Sequence, residues 1–560
     1  MVSQRKRDIG HLILVLLIIC GLNFLFSYFF FRIDFTKEKR YTLSPITKNI
    51  VSHLPGTIQV IVYLDGDLPA GFKNLKNATS DMLADFKAYS STNFRTSFVN
   101  PLVGDSKTQE IVLHELAANG IEPTNLSVKT EDGITQKQIF PQALIKYQDK
   151  QVVINLLQTR SGLSPEEVLN NSIQNLEYAF ASALKKVISG GKPRIGFTEG
   201  HNELTDLQLN DAMKSLADGY EVGRIDLRAV SFAGLDKLKM LVIPKPDKPF
   251  SEVEKYKIDY FVMHGGRVFW AIDNVSADLD SLRDGGKQYA FGKSLNLDDL
   301  LFKYGIRINA DLIADMNCAQ IPIRVGSIGG QAQLQLVPWL FYPIFVPIST
   351  HPLVKNLDGI RGEFANTLDT ITTKDVHKEI ILTASPFSKK LSAPTLLSLQ
   401  MVEEEPDPKT FRNRPMPVGL LLEGSFDSDF KNRPVPEGIS EGVNIPSKSK
   451  KTKMVVVSDG DILKNQVSNT DGSPFPLGYD RYTHQQYGNK NFLLNIADYL
   501  TDDSGLMQLR NKEIKLRMLD RARIRTEKMK WQIFNISFPL FLLVIFVIFQ
   551  KYYRKQKYTR

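Results

Sequence analysis

Residues 194–203 read RIGFTEGHNE: a short apolar strand runs into a turn holding Thr198, Glu199, His201 and Glu203. A histidine between two carboxylates suits acid–base chemistry or metal ligation. The same residues also admit a structural reading. In it Gly200 makes the turn, Asn202 or Thr205 caps the next helix, and Glu199 favours that helix's positive end. No nucleophile accompanies the three, because the chain has no G-x-S-x-G and no cysteine nearby. Glu199, His201 and Glu203 are therefore kept as a candidate binding turn. No residue is assigned a catalytic, cofactor-binding or metal-binding role, and no cofactor is expected.

Other chemistry-bearing stretches are weaker. Asp65 and Asp67 in YLDGDLP would hold a divalent cation only with a third carboxylate, and a D-G-D after a strand ordinarily makes a turn. Asp459 and Asp461 in VVVSDGDIL have the same status, with Ser458 and Asp459 expected to shape a strand-to-helix turn. Gly292-Lys293-Ser294 resembles the end of a phosphate-binding loop. The glycine that should open the loop is replaced by Lys287, Gly286 lies one residue too early, and the lead-in SADLDSLRDGG is polar where a buried strand is needed. The chain is not expected to bind nucleotide there. Two cysteines, Cys20 and Cys318, exclude a disulfide framework and a cysteine-based zinc site. The eight histidines form no HExxH, and Glu403-Glu404-Glu405 reads as a solvated loop.

These residues must be positioned by several domains, since 560 residues are too many for one core. TIQVIVYL, the helical stretch Phe72–Tyr89, FRTSFVN, IFPQALIKY and QVVINLL make residues 42–160 a small α/β domain, thioredoxin-like in element order. Residues 161–191 are a connecting helix. Ser164, Pro165 and Glu167 start it, Leu169, Ile173, Leu176, Phe180, Leu184 and Val187 form its apolar face, and Gly190-Gly191 stops it. From 192 to 320 strands and helices alternate with short connections: RIGF, a helix over Leu204–Leu216, YEVGRIDL, MLVIP, a helix over Ser251–His264, and RVFWAID. That pattern predicts a doubly wound, mostly parallel sheet. Residues 321–505 are mixed α/β, with strands at EIILTAS, VGLLLEG and KMVVVSDGDIL and a closing amphipathic helix at NKNFLLNIADYL.

Two apolar runs flank this body. Ile9–Phe31 is 23 residues long without a formal charge, and Ile533–Phe549 has Trp531 at its entrance and Tyr552-Tyr553 at its exit. About 20 apolar residues cross a bilayer, and interfacial aromatics mark its borders. The first run ends in Tyr-Phe-Phe-Phe-Arg with no small-x-small site, so an uncleaved anchor is expected. Much of the net charge of +9 sits in the tails 1–8 and 550–560, which predicts cytoplasmic termini and a periplasmic body at the inner membrane. Charge placed beside apolar runs is a topology signal and gives no reason to expect nucleic acid. Residues 506–530 form a basic juxtamembrane helix that would meet lipid head groups or a partner's loop.

The blocks YTLSPITKNIVSHLPGTIQVIVYL, KPRIGFTEGHNE, LVIPKPDKPFSEVEKYKIDYFVMHGGRVFWAID and LDDLLFKYGIRI lie between two spans. In that order they resemble the auxiliary component of ABC transporters associated with bacterial gliding motility. The likeness covers nearly the whole chain. It implies a middle domain similar to an intraflagellar-transport-like module of flavodoxin or amidotransferase-like topology. It implies a non-enzymatic subunit that works with an ABC permease subunit, a separate ATPase subunit and membrane lipid, and with envelope or motility components. It carries over no catalytic residues, and Cys318 has no motif fitting an amidotransferase nucleophile. Two rival expectations stand beside it: a membrane-anchored envelope hydrolase using Glu199, His201 and Glu203, and a ligand-sensing protein.

Overall fold

The computed structural model describes residues 10, 13–21, 42–130, 133–158, 164–328, 331–347, 349–403, 406–411, 415–439, 443, 445–468, 470–511 and 521–558. The chain is mixed α/β and divides into two units, Met1–Lys512 and Glu513–Arg560. The tail 1–8, most of the expected span 9–31, Glu404-Glu405 and residues 512–520 of the basic segment lie outside the described residues.

The first unit opens with α1 (Pro45–Ser52), β1 (Ile58–Val62), α2 (Ala70–Tyr89), β2 (Phe94–Phe98) and α3 (Ser106–Ala118). A hairpin, Thr124–Thr130 with Gly133–Ile139, leads to β3 (Gln142–Tyr147) and β4 (Lys150–Asn155). The sheet order is β2-β1-β3-β4. β1 is parallel to β2 and antiparallel to β3, and β4 is antiparallel to β3. Alternate residues Ile58, Val60 and Val62 are buried, so one face of β1 meets the core, as period-two patterning requires.

Helix α4 (Pro165–Ile188) starts as its sequence dictates. Ser164 and Glu167 form a capping box over a proline in the first turn. Leu176, Phe180, Leu184 and Val187 are buried against the small sheet and α2, and Phe180 meets Phe86 edge-on at 6.4 Å. Full burial of each such side chain contributes about 1.5–3 kcal/mol.

A seven-stranded sheet follows. Its strands are β5 (Arg194–Glu199), β6 (Glu221–Asp226), β7 (Met240–Pro244), β8 (Arg267–Ala271), β9 (Val376–Thr383), β10 (Pro417–Gly424) and β11 (Thr452–Val457), in the order β9-β10-β11-β8-β7-β5-β6. The five strands from β11 to β6 are parallel, while β9 and β10 pair antiparallel at one edge. Ile195, Phe197, Val242, Phe269 and Val455 face one core, and Leu241, Ile243, Trp270, Met454 and Val456 face the other. Burial on both faces explains why MLVIP and MVVV are unbroken apolar runs.

Helices α5 (Asn210–Ala217), α6 (Glu252–Met263) and α7 (Asn489–Thr501) pack on this sheet. α6 begins with a Ser251–Glu254 capping box. The helix expected from Leu204 starts only at Asn210, because Thr205 and Gln208 close a separate turn. Thr205 N donates to Gln208 Oε1 at 3.0 Å, and Gln208 N to Thr205 Oγ1 at 3.3 Å. The stretch between β8 and β9 includes a long hairpin, Cys318–Ile328 with Gln331–Phe345, over a separate core of Trp339, Phe341, Tyr342 and Phe364. A 3-10 segment, Leu506–Asn511, ends the described part of this unit.

The second unit contains α8 (Arg521–Tyr558), which includes Pro539. Among the described residues it provides the one stretch long and apolar enough to cross a membrane, Thr526–Gln556, whose most apolar 18 residues have a mean hydropathy of 2.4. The expected span 533–549 and the basic residues from 521 onward fall on this single helix.

Candidate functional site at the carboxyl edge of the parallel sheet

Chain order along the parallel strands reverses direction between β5 and β7. Ligands of open α/β sheets bind outside the carboxyl ends of strands at such a point. The residues just beyond those ends are Gly200 and His201 after β5, Lys245 after β7, Asp273 after β8, and Asp459 and Asp461 after β11.

The turn after β5 is shaped by Gly200 at φ +111°, where a Cβ would run into the Arg228 guanidinium 2.9 Å away. His201 is buried and stacks on Phe250 with centroids 3.8 Å apart. Its Nδ1 lies 3.3 Å from Glu203 Oε1, and its Nε2 lies 3.0 Å from Glu254 Oε1 in the first turn of α6. The His201 amide donates to Glu203 Oε2 at 2.6 Å, and its carbonyl accepts from Asp247 N and Lys248 N. Burial alone would lower the imidazole pKa, but Glu203 and Glu254 outweigh burial and raise it. Burial likewise opposes ionisation of Glu203 and Glu254, yet hydrogen bonds to His201, to Ser251 and to main-chain amides hold both below the usual glutamate value. The group clamps the β5 turn to α6, with a carboxylate oxygen beside each ring nitrogen.

Of the predicted turn residues, His201 and Glu203 are thus brought together. Glu199 stands apart, with Oε2 3.3 Å from Arg224 Nε. Glu254, the second partner of His201, carried no sequence signal beyond lying near the start of the helix expected over Ser251–His264.

A larger cluster lies across the edge. Oxygens of Asp273, Asp459 and Asp461 come within 4.8 Å of one another, and all three residues are buried. Gly460 N donates to Asp273 Oδ1 at 2.5 Å, Asp461 N to Asp459 Oδ1 at 2.9 Å, and Glu363 N to Asp459 Oδ2 at 2.8 Å. Three carboxylates would suit a hard divalent cation. The ammonium of Lys245 already takes that role, 3.1 Å from Asp273 Oδ2 and paired with Asp461. Lys464 lies 3.3 Å from Asp461 Oδ1 and 3.6 Å from Glu363 Oε2, and Arg361 reaches Glu363 at 2.9 Å.

Burial pushes Asp273 and Asp459 upward, and neighbouring carboxylates add to the effect at Asp459. At Asp461 burial also raises the pKa, but Lys245 and Lys464 outweigh it and the net direction is downward. The net directions thus diverge, downward at Asp461 beside its two lysines and upward at its neighbour Asp459. Close approach depends on Gly460, where a Cβ would clash with Lys245, and on Gly362, where a Cβ would clash with Asp459. The SDGD turn was legible as a turn. Asp273 and Lys245 carried no sequence signal beyond lying at the ends of apolar strands. Beside the cluster opens a polar cavity of about 260 Å³ that Lys245, Arg361, Lys464, Arg481, Asp461 and Tyr482 help to line.

The remaining candidates are paired or inert. Asp65 meets Lys76 at 2.6 Å, and Asp67 meets Lys137 at 2.5 Å. Lys293 of the failed phosphate loop follows a strand, Lys287–Gly292, and pairs with Asp247 at 3.0 Å. Burial, with Asp315 nearby, pushes the Cys318 thiol up to about 11, which keeps it from being a thiolate nucleophile at neutral pH.

Comparison with known proteins adds the following. A family model described as an ABC-type uncharacterized transport system matches residues 192–496, and one described as a domain of unknown function matches residues 37–146. An uncharacterized protein of Borreliella burgdorferi is 24% identical over 550 residues, covering 96% of this chain and 94% of that protein. Among solved structures, the mmIFT52 N-terminal domain is similar at TM-score 0.31 and 12% identity, over 55% of this chain and 98% of that one. A putative ThuA-like protein from Bacteroides uniformis is similar at TM-score 0.28 and 12% identity, over 57% and 98%.

Proposed function

This chain belongs to the family described as an ABC-type uncharacterized transport system, and we propose that it is a non-catalytic accessory membrane subunit whose body works beside a permease and a separate ATPase. In the finer reading it is anchored by two spans, 9–31 and 533–549, with cytoplasmic termini and a periplasmic body. Its transport system serves gliding motility or surface secretion, as the resemblance of its sequence blocks implies.

One observation carries the anchoring: the two ends of the body meet on α4. Ser44 N and Thr47 Oγ1 donate to Glu177 Oε1 at 2.7 and 2.8 Å. Ala181 of the same helix packs with Leu506 and Leu509, and Ile46, Ile50 and Tyr178 pack on that cluster. The chain therefore enters and leaves the body at one spot, as a hairpin anchor requires. The strand order β2-β1-β3-β4 supports a thioredoxin-like reading of the first module. The parallel order β6-β5-β7-β8-β11 supports a flavodoxin-like reading of the second. A hydrolase built on Glu199, His201 and Glu203 needs a free imidazole nitrogen, and the carboxylates on both sides of His201 favour the non-catalytic reading.

Protease added to cells with an opened outer barrier tests the orientation. Digestion of the body with survival of the short tails is expected; full protection of the body in such cells, with digestion only after lysis, contradicts it.

A further inference from the structure

The polar cavity at the carboxyl edge has two walls. Gln208, Lys245, Asp461 and Lys464, which follow parallel strands, help to make one, and Gln320 and Tyr342 of the long hairpin help to make the other. It lies at the edge where open α/β sheets take their ligands. Its volume of about 260 Å³ suits a small metabolite better than a drug-sized ligand. Each acid on its lining is already engaged. Asp461 pairs with Lys245 and Lys464, and Glu363 pairs with Arg361 and Lys464. Asp280 pairs with Arg283 at 3.3 Å, and Asp278 accepts from Ser281 N at 2.8 Å.

The capacity left over is donor capacity. Tyr342 is only 3% exposed, yet its hydroxyl has no hydrogen-bond partner among the described residues. Its ring is fixed, edge-on to Phe364 at 5.5 Å and covered by the Arg361 guanidinium at 4.8 Å. The charges that act on this hydroxyl, Glu363, Arg361, Asp461 and Lys245, all line the cavity. Burial holds the phenol well above its ordinary range, so it is a donor at neutral pH. Arg361 meets Glu363 through Nη1, and its Nη2 has no partner among the described residues. Gln208 and Gln466 accept through Oε1, from Thr205 N and Arg481 N at 3.0 Å each, and among the described residues their Nε2 groups are free. Five basic residues against four acidic ones leave the lining one positive charge in excess.

We propose that this cavity binds a small hydroxylated monocarboxylate, with its carboxylate on Arg361 Nη2 and the Tyr342 hydroxyl and its hydroxyls toward Gln208 and Gln466. A guanidinium and a phenol donor side by side suit the two oxygens of a carboxylate. A buried hydroxyl without a partner is costly, and an acceptor-rich ligand removes that cost. One negative charge balances the excess on the lining, whereas a phosphate dianion would leave charge uncompensated in a polar but partly buried site. The assignment stands apart from the transport reading: it needs neither the spans nor the partner subunits.

The test is calorimetric titration of the full chain in mild detergent with gluconate and lactate, against glucose and inorganic phosphate at equal ionic strength. Saturable binding of at least one of the two carboxylates is expected, about tenfold or more tighter than glucose or phosphate. Tyr342→Phe removes one oxygen and no packing, so it should keep the unfolding midpoint and weaken the carboxylate about tenfold, the loss of one hydrogen bond to a charged group. Arg361→Gln should weaken it further. Gln320→Trp, at an exposed position on the lining, should block entry without touching either donor. Absence of binding by both carboxylates at millimolar concentration, equal binding by Tyr342→Phe, or glucose or phosphate bound as tightly as the carboxylate would each overturn the assignment. Because Tyr342→Phe leaves the fold intact, the test holds even where Arg361→Gln does not fold.

Discussion

The Nζ of Lys245 lies 3.1 Å from Oδ2 of Asp273, joining the carboxyl ends of two neighbouring parallel strands, and the same ammonium pairs with Asp461 beyond a third. Lys245 holds φ at +55°, a left-handed conformation that a lysine adopts at a cost of about 1 kcal/mol or more. The buried charge pairing fastens β7, β8 and β11 to one another at this edge.

Lys245→Met should therefore be among the more damaging single changes in the body. It strands two buried carboxylates, a loss of about 3–5 kcal/mol, read by denaturant unfolding. Adding Asp461→Asn should recover much of the loss. A double variant no more stable than the single one would show that the charge pairing is not what Lys245 contributes.

The same geometry predicts indifference to divalent cations. With an ammonium between the three aspartates, chelator or millimolar magnesium or calcium should move the melting temperature by no more than about 1 °C. A stabilisation of several degrees would mean that a cation displaces Lys245.

The His201 clamp predicts a pH window. His201 is raised above its ordinary 6.5, so its stabilisation is complete below that value and fades as pH climbs through the folded pKa. Glu203 and Glu254 are lowered below 4.5, so their side of the same interaction is present above that value and lost as pH falls. The stability difference between wild type and His201→Asn should be largest between these two ordinary values and shrink on either side. A difference that is flat from pH 4 to pH 9 would rule out a charged clamp.

Convergence of the chain ends on α4 predicts a local effect of Glu177→Ala. It removes the acceptor for Ser44 N and Thr47 Oγ1, a loss of about 1–3 kcal/mol. Limited proteolysis should speed up at residues 42–52 and leave the seven-stranded sheet as resistant as before. Uniform acceleration across the body would contradict it.

Legibility followed how locally each feature is encoded. α4 could be read because a serine and a glutamate three residues later start it. The parallel strands could be read because burial on both faces leaves apolar runs, MLVIP in β7 and MVVV in β11. The start of α5 was misjudged because Thr205 and Gln208 bond each other and turn the chain before the helix begins. Lys245, Asp273 and Asp461 could not be joined from sequence, since only the strand order brings them together. His201 and Glu203 were read as a turn, but the second carboxylate arrives from α6.

Isolation of the tagged full chain in mild detergent, with its companions identified, bears most directly on the claim that it is an accessory subunit of an ABC-type transport system. The account predicts that a polytopic permease and an ATPase come with it, and that ATP turnover appears with those partners and is absent from the chain alone. Recovery of the chain by itself, together with turnover by its own body, would contradict it.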